Sequence, residues 1–514
     1  MGTARVASRA QLGLSAPRVE VEVHLGQGLP TFSIVGLPAT AVKESKDRVR
    51  AALQNSEFEF PAGRITVNLS PADLPKEGCR YDLPIALGIL LASDQLKIPE
   101  QRLATSEFYG ELGLAGELKP VKGVLLAAAH AAREGRNVVV PAANLLEARF
   151  AEPNRARGAD SLLGVCSLVR NGACDASHRD LNSGELIPRI SPNGQLDIAD
   201  VRGQAAPKRA LIVAAAGGHS LLLVGPPGTG KTMLAQRLPG LLPALEGAEA
   251  LDVASIASVS VRGFNACDYG KRPFRAPHHT ASAGAIIGGG SHARPGEVSL
   301  AHRGVLFLDE LPEFNRSVLE SLREPLESGI VAISRAALQV EYPARFQLVA
   351  AMNPCPCGYL GEPTGNCRCA PPEIARYRAR ISGPLLDRID VRVAVPAVAS
   401  EELFGEGTPA NSLTTAQAAE RVRAAHDLQR ARAGKLNVEL TGKELQRFCG
   451  LDRQSRRLLA QARTRLQLSA RGVHRVLRVA RTIADLDTAA NAASCNLALT
   501  HLAEALQLRM ADRV

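Results

Sequence analysis

A glycine-rich segment joins an apolar run to a segment with helical character. It reads Gly225-Pro226-Pro227-Gly228-Thr229-Gly230-Lys231-Thr232 and follows Leu221-Leu222-Leu223-Val224. Glycines let backbone N–H groups close around phosphate oxygens, a lysine at this position reaches the β- and γ-phosphates, and the last hydroxyl ligates Mg²⁺. The N-terminus of the following helix adds positive charge. The segment therefore predicts a phosphate-binding loop for a nucleoside triphosphate.

A second motif places two carboxylates at the end of an apolar run, Gly304-Val305-Leu306-Phe307-Leu308-Asp309-Glu310. A buried parallel strand has this composition, and its C-terminal end meets the ligand. Alone the motif is weak, because acidic residues often end strands as solvated caps. Paired with the upstream loop, it predicts that Asp309 holds Mg²⁺ and that Glu310 polarises the attacking water. The two motifs together indicate a nucleoside triphosphatase that needs Mg²⁺.

Four cysteines cluster in the pattern Cys-x-Cys-x9-Cys-x-Cys, at Cys355, Cys357, Cys367 and Cys369. Two thiolate pairs joined by a turn-rich loop can fold around a tetrahedral ion, and Zn²⁺ prefers four such ligands in closed structural sites. The spacing within each pair is shorter than the commoner Cys-x2-Cys. The pattern favours a structural zinc site, with free thiols in a tight loop and an iron–sulfur cluster as alternatives.

The composition of the 514-residue chain, with 46% apolar and 22% charged residues, is that of a globular protein of two or three domains. Its net charge of +10 favours a polyanionic partner, and nine arginines against one acid lie between Leu451 and Arg481. A solvated helical face is the alternative for that run. No apolar stretch is long enough to span a bilayer, and no signal peptide is evident. We expect a cytoplasmic protein without a membrane partner, whose ten cysteines form no disulfide framework.

The elements that must position these motifs predict an α/β fold class. Residues 1–170 mix alternating runs with helical stretches, as in an α+β domain, and 171–195 read as a linker. Residues 196–400 repeat strand, loop and helix and contain both phosphate motifs. Residues 401–514 are predicted to be wholly helical. The order is that of a P-loop core followed by a helical lid.

The central region resembles an AAA+ ATPase in further detail. A predicted strand, 347–351, leads to Asn353, which falls at the position of sensor 1, where an amide contacts the γ-phosphate or the attacking water. The segment around Arg388 resembles the one that presents an arginine finger to a neighbouring subunit. Arg471, followed by Arg475 and Arg478, resembles the sensor-2 helix of the lid. A surface salt bridge is the alternative role for any one of these arginines.

Several longer segments resemble the magnesium-chelatase-like ATPases of the competence protein ComM (YifB) family nearly end to end. They are Arg275-Ala276-Pro277-His278-His279-Thr280, Ile287-Gly288-Gly289-Gly290, residues 295–302, Leu308 to Phe314, Met352 to Gly358 and residues 480–486. The resemblance implies a homohexameric AAA+ motor of the helix-2-insert class. Such a motor uses ATP to drive branch migration of DNA during homologous recombination in natural transformation, and recombination proteins are possible partners.

Asp309 follows Lys231 by 78 positions, which leaves room for the insert. The resemblance places the insert loop around Phe274 to Gly290 and the pre-sensor-1 hairpin at Gly329 to Tyr342. Loops of this kind suit sequence-independent contacts with single-stranded and branched DNA, because they approach the backbone closely. The candidate DNA-binding residues are Arg275, His278, His279 and Arg335. For the two histidines, metal ligation and structural hydrogen bonding are the alternatives.

The N-terminal region resembles the proteolytic domain of Lon through residues 81–86 and 110–118. Lon-type hydrolysis needs a serine activated by a lysine. Residues 75–82 contain no serine, and Lys122 lies out of register with the family's lysine, so we expect a scaffold without the catalytic dyad. Two rival functions stay open: an ATPase subunit of a magnesium-chelatase-type complex and an ATP-dependent Lon-type protease.

Overall fold

The computed structural model describes residues 2–171, 196–290, 293–335, 338–361, 367–398, 413–491 and 497–509. Almost all of the predicted linker 171–195, and the start of the predicted lid, lie outside these residues. The chain forms two compact units. The N-terminal unit comprises Met1–Ile190, Glu246–Tyr269 and Ser334–Tyr342, and the C-terminal unit comprises Ser191–Leu245, Gly270–Ile333 and Pro343–Val514.

The N-terminal unit contains a seven-stranded mixed sheet in the order β3-β4-β2-β1-β5-β8-β9. Its strands are β1 (Gly2–Arg9), β2 (Arg18–Gly26), β3 (Thr31–Val35), β4 (Arg64–Ser70), β5 (Ser106–Phe108), β8 (Asn137–Pro141) and β9 (Ala156–Ala159), while β6 (Glu111–Leu112) pairs with β7 (Leu118–Lys119). In β2 the alternating Val19, Val21 and Val23 are buried and the residues between them are not, because successive side chains point to opposite faces.

Seven helices accompany this sheet: α1 (Thr40–Lys43), α2 (Ser45–Asn55), α3 (Asp82–Ala92), α4 (Glu100–Ala104), α5 (Val124–Arg133), α6 (Leu145–Ala151) and α7 (Leu162–Asn171). Helix α3 is apolar on nearly all sides and is buried from Asp82 to Leu90. It packs against β1 and β2, so it forms the centre of the core of this unit. The α+β character expected from the sequence is present.

The C-terminal unit is built on a five-stranded parallel sheet in the order β11-β14-β17-β10-β18. The strands are β10 (Leu221–Val224), β11 (Phe274–Arg275), β14 (Val305–Leu308), β17 (Gln347–Met352) and β18 (Val391–Ala394). The helices before residue 400 are α8 (Ala205–Gly217), α9 (Lys231–Leu241), α11 (Ala283–Ile287), α12 (Glu297–Leu300), α13 (Arg316–Ser321), α14 (Arg323–Ser328), α15 (Pro371–Arg378) and α16 (Gly383–Leu386). The parallel sheet confirms the predicted α/β fold class.

Beyond residue 412 the described chain is helical, with α17 (Thr415–Ala433), α18 (Gly442–Phe448), α19 (Arg453–Leu466), α20 (Ala470–Asn491) and α21 (Leu499–Gln507). Helices α17, α20 and α21 share one apolar core with the sheet. Short 3₁₀ turns occur at Ala142–Asn144, Ile198–Asp200, Ala266–Asp268, Leu311–Glu313 and Asn437–Glu439. Among the described residues, no helix combines the length and apolarity that crossing a membrane requires.

Two segments that interrupt the C-terminal unit along the chain belong to the N-terminal unit, and the sequence analysis did not predict this. Residues 246–269, which include α10 (Gly247–Ser258), and residues 334–342 group with the N-terminal unit. Within that unit α10 packs against α5, and the Ser258 hydroxyl donates to Glu147 Oε1 at 2.5 Å. Residues 246–269 therefore account for part of the long interval between Lys231 and Asp309.

The predicted insert loop, Phe274 to Gly290, needs a correction at its start. Phe274 and Arg275 form β11, an edge strand of the sheet that pairs with Val305 and Leu306. The loop proper follows them and leads through α11 to a two-stranded ribbon of β12 (Gly288–Gly289) and β13 (Arg294–Pro295). The predicted hairpin at 329–342 is formed by β15 (Ile330–Arg335) and β16 (Leu338–Pro343).

Candidate nucleotide-binding site

The candidate site lies where three neighbouring parallel strands end. In the register of the sheet, Val224 of β10 pairs with Met352 of β17, and Leu308 of β14 pairs with Ala350 of β17. Because the carboxyl ends of parallel strands meet at one edge, the segments that follow them converge there. The register of the three strands therefore places the glycine-rich loop, the two carboxylates and Asn353 side by side.

The glycine-rich loop spans Gly225 to Gly230, and α9 begins at Lys231. Gly228 and Gly230 have positive φ angles of 78° and 85°, a conformation that disfavours side chains. The Lys231 ammonium donates to the carbonyls of Gly225 and Pro226 at 2.7 Å each and to Asn353 Oδ1 at 3.1 Å. The predicted phosphate lysine and sensor-1 amide are thus in direct contact.

Burial lowers the pKa of the Lys231 ammonium, and the charges of Asp309 and Glu310 oppose that shift. The buried Lys231 cation is suited to bind anionic phosphate, because the low dielectric strengthens the attraction between the two charges. The predicted Mg²⁺ ligands also meet: the Thr232 hydroxyl donates to Asp309 Oδ2 at 2.7 Å. A hydroxyl and a carboxylate are hard oxygen donors of the kind Mg²⁺ selects, so this pair fits the ion.

Glu310 combines strain with exposure. Its φ angle of 52° lies in the left-handed region, which costs a non-glycine residue on the order of 1 kcal/mol or more. The Glu310 N–H donates to Asp309 Oδ1 at 2.9 Å, which fixes the turn. The Glu310 side chain is 54% exposed, and its Oε2 lies 3.1 Å from His279 Nδ1. The candidate base therefore faces the insert loop as well as the phosphate loop.

The four cysteines of the predicted metal site converge. Their sulfur atoms all lie within 4.8 Å of one another. Cys367 Sγ is 3.7 Å from Sγ of both Cys355 and Cys357, which are 3.3 Å apart. Four sulfurs at about 2.3 Å from one Zn²⁺ stand about 3.8 Å apart, so the cluster has the dimensions of a tetrahedral thiolate site. Residues 362–366, between the two pairs, lie outside the described residues.

The cysteine loop also packs against the phosphate loop. Gly358 has a φ of 90°, and a Cβ added there would lie 2.7 Å from Pro227 Cδ and 3.8 Å from Asn353 Cγ. Only glycine fits this close approach without displacing its neighbours. The residues just after Asn353 therefore support both the loop and the amide. The sequence analysis did not identify Gly358 as a site residue.

The predicted arginine finger and sensor 2 share an acidic neighbour. Arg388 donates to the carbonyl of Pro384 at 2.7 Å and also pairs with Glu327, and its side chain is only 10% exposed. Arg471 is 78% exposed and lies 4.0 Å from Glu327 Oε1. These contacts place both arginines beside α14. No sequence pattern pointed to Glu327.

The run of nine arginines divides into two groups. The arginines of α19 are exposed at positions 453, 456, 457, 463 and 465. In α20 Arg471 is exposed, and the other three have internal partners: Arg475 with Asp390 at 3.3 Å, Arg478 with the Leu440 carbonyl at 2.6 Å, and Arg481 with Asp485 at 2.8 Å. The resemblance to sensor 2 at Arg475 and Arg478 thus falls on side chains engaged within the unit.

The candidate DNA contacts have different surroundings. Arg275 makes two hydrogen bonds to the Glu297 carboxylate, at 2.6 and 2.8 Å. His278 is exposed, and its Nδ1 lies 2.8 Å from the Thr280 hydroxyl. The Arg335 side chain lies outside the described residues. The structural hydrogen bonding considered for the histidines is present at His278, whereas Arg275 is occupied by an acid.

The segment of the N-terminal unit that resembles Lon has no activated nucleophile among its described residues. Burial raises the pKa of the Cys79 thiol to about 11, which leaves it protonated at neutral pH. Lys76 is buried and donates to the carbonyl of Pro71. Lys122 donates to the Val261 carbonyl at 3.2 Å. These contacts agree with a scaffold and give no support to the protease alternative.

Known proteins match this chain over its whole length. Profiles described as subunit ChlI of Mg-chelatase, magnesium chelatase subunit ChlI, and its C-terminal part match residues 21–144, 197–403 and 412–509. Competence protein ComM of Haemophilus influenzae is 48% identical over 515 residues, covering 100% of this chain and 99% of that protein. The chain belongs to the ComM (YifB) family of magnesium-chelatase-like AAA+ ATPases.

Other relatives separate this family from the chelatase subunits. The uncharacterized protein YifB of Escherichia coli is 46% identical, with 100% of this chain and 98% of that protein covered. The magnesium-chelatase 38 kDa subunit of Rhodobacter capsulatus is 29% identical over 170 residues, which cover 30% of this chain and 48% of that subunit. The match to this chelatase subunit therefore covers less than a third of the chain, whereas the matches to ComM and YifB cover all of it.

Proposed function

We propose that this chain is an ATP-driven, homohexameric DNA motor that promotes branch migration during homologous recombination in natural transformation. The observation that carries the proposal is the full-length similarity to a competence protein, at 48% identity, together with the convergence of Lys231, Asp309, Glu310 and Asn353 at one sheet edge. The family supplies the ATPase chemistry. The coupling of that chemistry to DNA is the part that we propose.

The residues of the site have separate tasks in hydrolysis. Lys231 and the loop amides bind the β- and γ-phosphates, and Asn353 orients the attacking water. Glu310 accepts the proton of that water as its oxygen bonds to the γ-phosphorus and the bond to the leaving ADP oxygen breaks. Thr232 and Asp309 would hold Mg²⁺, which when bound neutralises developing charge on the phosphates. Arg388 completes the site of a neighbouring subunit.

We also propose that Cys355, Cys357, Cys367 and Cys369 hold a structural Zn²⁺. The separations of 3.3 to 3.7 Å among the sulfurs of Cys355, Cys357 and Cys367, with all four sulfurs within 4.8 Å of one another, support this assignment. The ion would fix the loop whose Gly358 packs against Pro227. The task of these residues is therefore to keep Asn353 and the phosphate loop in register.

Charge supports a DNA partner. The five exposed arginines of α19 lie on a helix without an acidic residue, while its leucines pack toward the core. Such a face binds phosphate backbones without reading bases. We expect DNA binding that is independent of sequence and that weakens steeply with salt, because each neutralised phosphate releases counterions.

A junction assay tests the proposal. Wild-type protein should convert a four-stranded joint to its exchanged product only with ATP and Mg²⁺, and Glu310→Gln should bind ATP and DNA but leave the joint unmoved. Turnover in Glu310→Gln should fall by about 10²-fold or more, because only proton acceptance is lost. A wild-type protein that hydrolyses ATP but neither binds branched DNA at low salt nor moves the joint would favour the chelatase-type ATPase instead.

A further inference from the structure

The segment that carries Arg388 is hydrogen-bonded to the core of the C-terminal unit through one serine. The Ser220 hydroxyl donates to the Arg388 carbonyl at 2.7 Å and accepts the Asp390 N–H at 3.0 Å. The Ser220 N–H donates in turn to Asp390 Oδ2 at 3.3 Å. Because Ser220 directly precedes β10, the residues on both sides of Ile389 are joined to the strand that leads to the phosphate loop.

Two arginines from the C-terminal helices contact the same segment. Arg475 of α20 pairs with Asp390 Oδ1 at 3.3 Å, and the side chain of Asp390 is only 5% exposed. Arg509, which follows α21, donates to the carbonyls of Ile389 and Asp390 at 3.3 and 3.5 Å. Breaking a buried ion pair leaves a charge without its partner, so the link between Asp390 and Arg475 resists disruption.

A histidine completes the surroundings of the Asp390 carboxylate. His219 is fully buried, its Nδ1 lies 3.5 Å from Asp390 Oδ2, and its Nε2 lies 2.8 Å from the Thr482 hydroxyl of α20. The carboxylate therefore contacts the core and the lid helix α20 at once. Since Arg388 lies only two residues before Asp390, a change in the position of α20 is transmitted to Arg388 through this carboxylate.

We propose that Asp390 is a positioning residue that couples the lid of each subunit to the arginine that the subunit supplies to its neighbour. This inference rests on the proposed action of Arg388 at a neighbouring site. A guanidinium displaced by about 1 Å stabilises the charge that develops on the transferred phosphoryl group much less well. The position of one subunit's lid thereby sets the rate of ATP hydrolysis in the next subunit.

The first test is ATP turnover of the full-length protein carrying Asp390→Asn. The amide keeps an acceptor for Ser220 but loses the charge that attracts Arg475. The maximal rate should fall by about 10²-fold, the cost of misplacing a reacting group by about 1 Å, while ATP affinity stays within about twofold of wild type. Added to Arg388→Ala, the same change should lower the rate by no more than about twofold, because Asp390 acts through Arg388.

Mixed subunits separate the positioning of a group that acts in trans from damage to the subunit itself. Subunits with Asp390→Asn mixed with Glu310→Gln subunits should regain activity, because the intact Glu310 of the first then meets a well-placed Arg388 of the second. A purely structural defect gives only the sum of the two separate variants. Glu504→Gln is the matched control: it breaks the ion pair of α21 with Arg209, at 2.8 Å, and should keep wild-type turnover.

The outcomes distinguish the two levels of proposal. If Arg388→Ala keeps wild-type turnover, its proposed action on a neighbour is wrong, and this inference falls with it. If Arg388→Ala is impaired but Asp390→Asn is not, or if the two losses multiply in the double variant, only the role of Asp390 is overturned. If thermal unfolding shows that Asp390→Asn does not fold, Arg475→Gln decides by the same measurements, and Arg475→Lys, which keeps the charge, should recover most of the rate.

Discussion

Two buried lysines, one in each unit, share most of their local features. Lys231 and Lys76 are both at most 8% exposed, both donate to main-chain carbonyls, and burial lowers the pKa of both ammonium groups. Only Lys231 stands where three parallel strands end. There it also contacts Asn353 and faces Asp309 and Glu310, whereas a single acid, Asp73, opposes the shift at Lys76. Burial of a lysine is thus no sign of function; convergence of groups from separate strands is.

Replacing each lysine in turn tests most directly whether only Lys231 serves ATP turnover. Lys231→Ala should abolish ATP turnover, a loss of about 10³-fold or more, because the contact with the β- and γ-phosphates disappears. Lys76→Met keeps the bulk of a buried side chain and should retain turnover within about twofold. Turnover and nucleotide affinity measured in parallel check the pair. Equal losses would show that the N-terminal lysine also serves the site.

A second experiment asks whether the site is complete within one C-terminal unit. If Arg388 acts on a neighbouring subunit, Arg388→Ala should lower turnover by about 10³-fold while ATP binding persists. Subunits carrying Arg388→Ala mixed with Glu310→Gln subunits should then regain activity at interfaces that combine an intact Arg388 with an intact Glu310. Activity that is strictly the sum of the two separate variants contradicts a shared site. Arg380→Ala, whose partner is Glu313, is a matched surface control.

The smallest expected effect concerns the loop that supports Asn353. Purified protein should contain about one zinc per chain, released by thiol modification, because thiolates bind the ion only when deprotonated. Cys355→Ser with Cys357→Ser should lose the metal and lower turnover by about tenfold, since Gly358 no longer holds Pro227. Cys267→Ser, an exposed cysteine outside the cluster, should keep both. Elemental analysis that finds neither zinc nor iron in fresh, reduced protein rejects the site.

The local structure around the short motifs could be predicted from the sequence. The apolar run that precedes the phosphate loop in the sequence, Leu221-Leu222-Leu223-Val224, is strand β10. The glycines of the loop adopt positive φ angles, and the apolar run before Asp309 is buried. In both motifs the residue types alone therefore predict the local structure. The paired cysteines likewise predicted their own convergence.

Contacts between segments that are distant along the chain could not be predicted from local sequence. The run of nine arginines gave no sign that α19 exposes its arginines while α20 turns three inward to Asp390, Asp485 and a carbonyl, because helix rotation is set by packing. Neither did the sequence show that residues 246–269 leave the C-terminal unit.

The side-chain chemistry of this protein follows from its sequence: a phosphate loop, two carboxylates, an amide and four thiols at fixed spacings. Which of these groups touch depends on the tertiary structure. The order of strands in the parallel sheet sets Lys231 against Asn353, 122 positions apart, and the fold brings His279 Nδ1 to 3.1 Å from Glu310 Oε2. The physical reason is that side-chain types follow from local sequence, whereas strand order and register follow from burying the whole apolar surface at once.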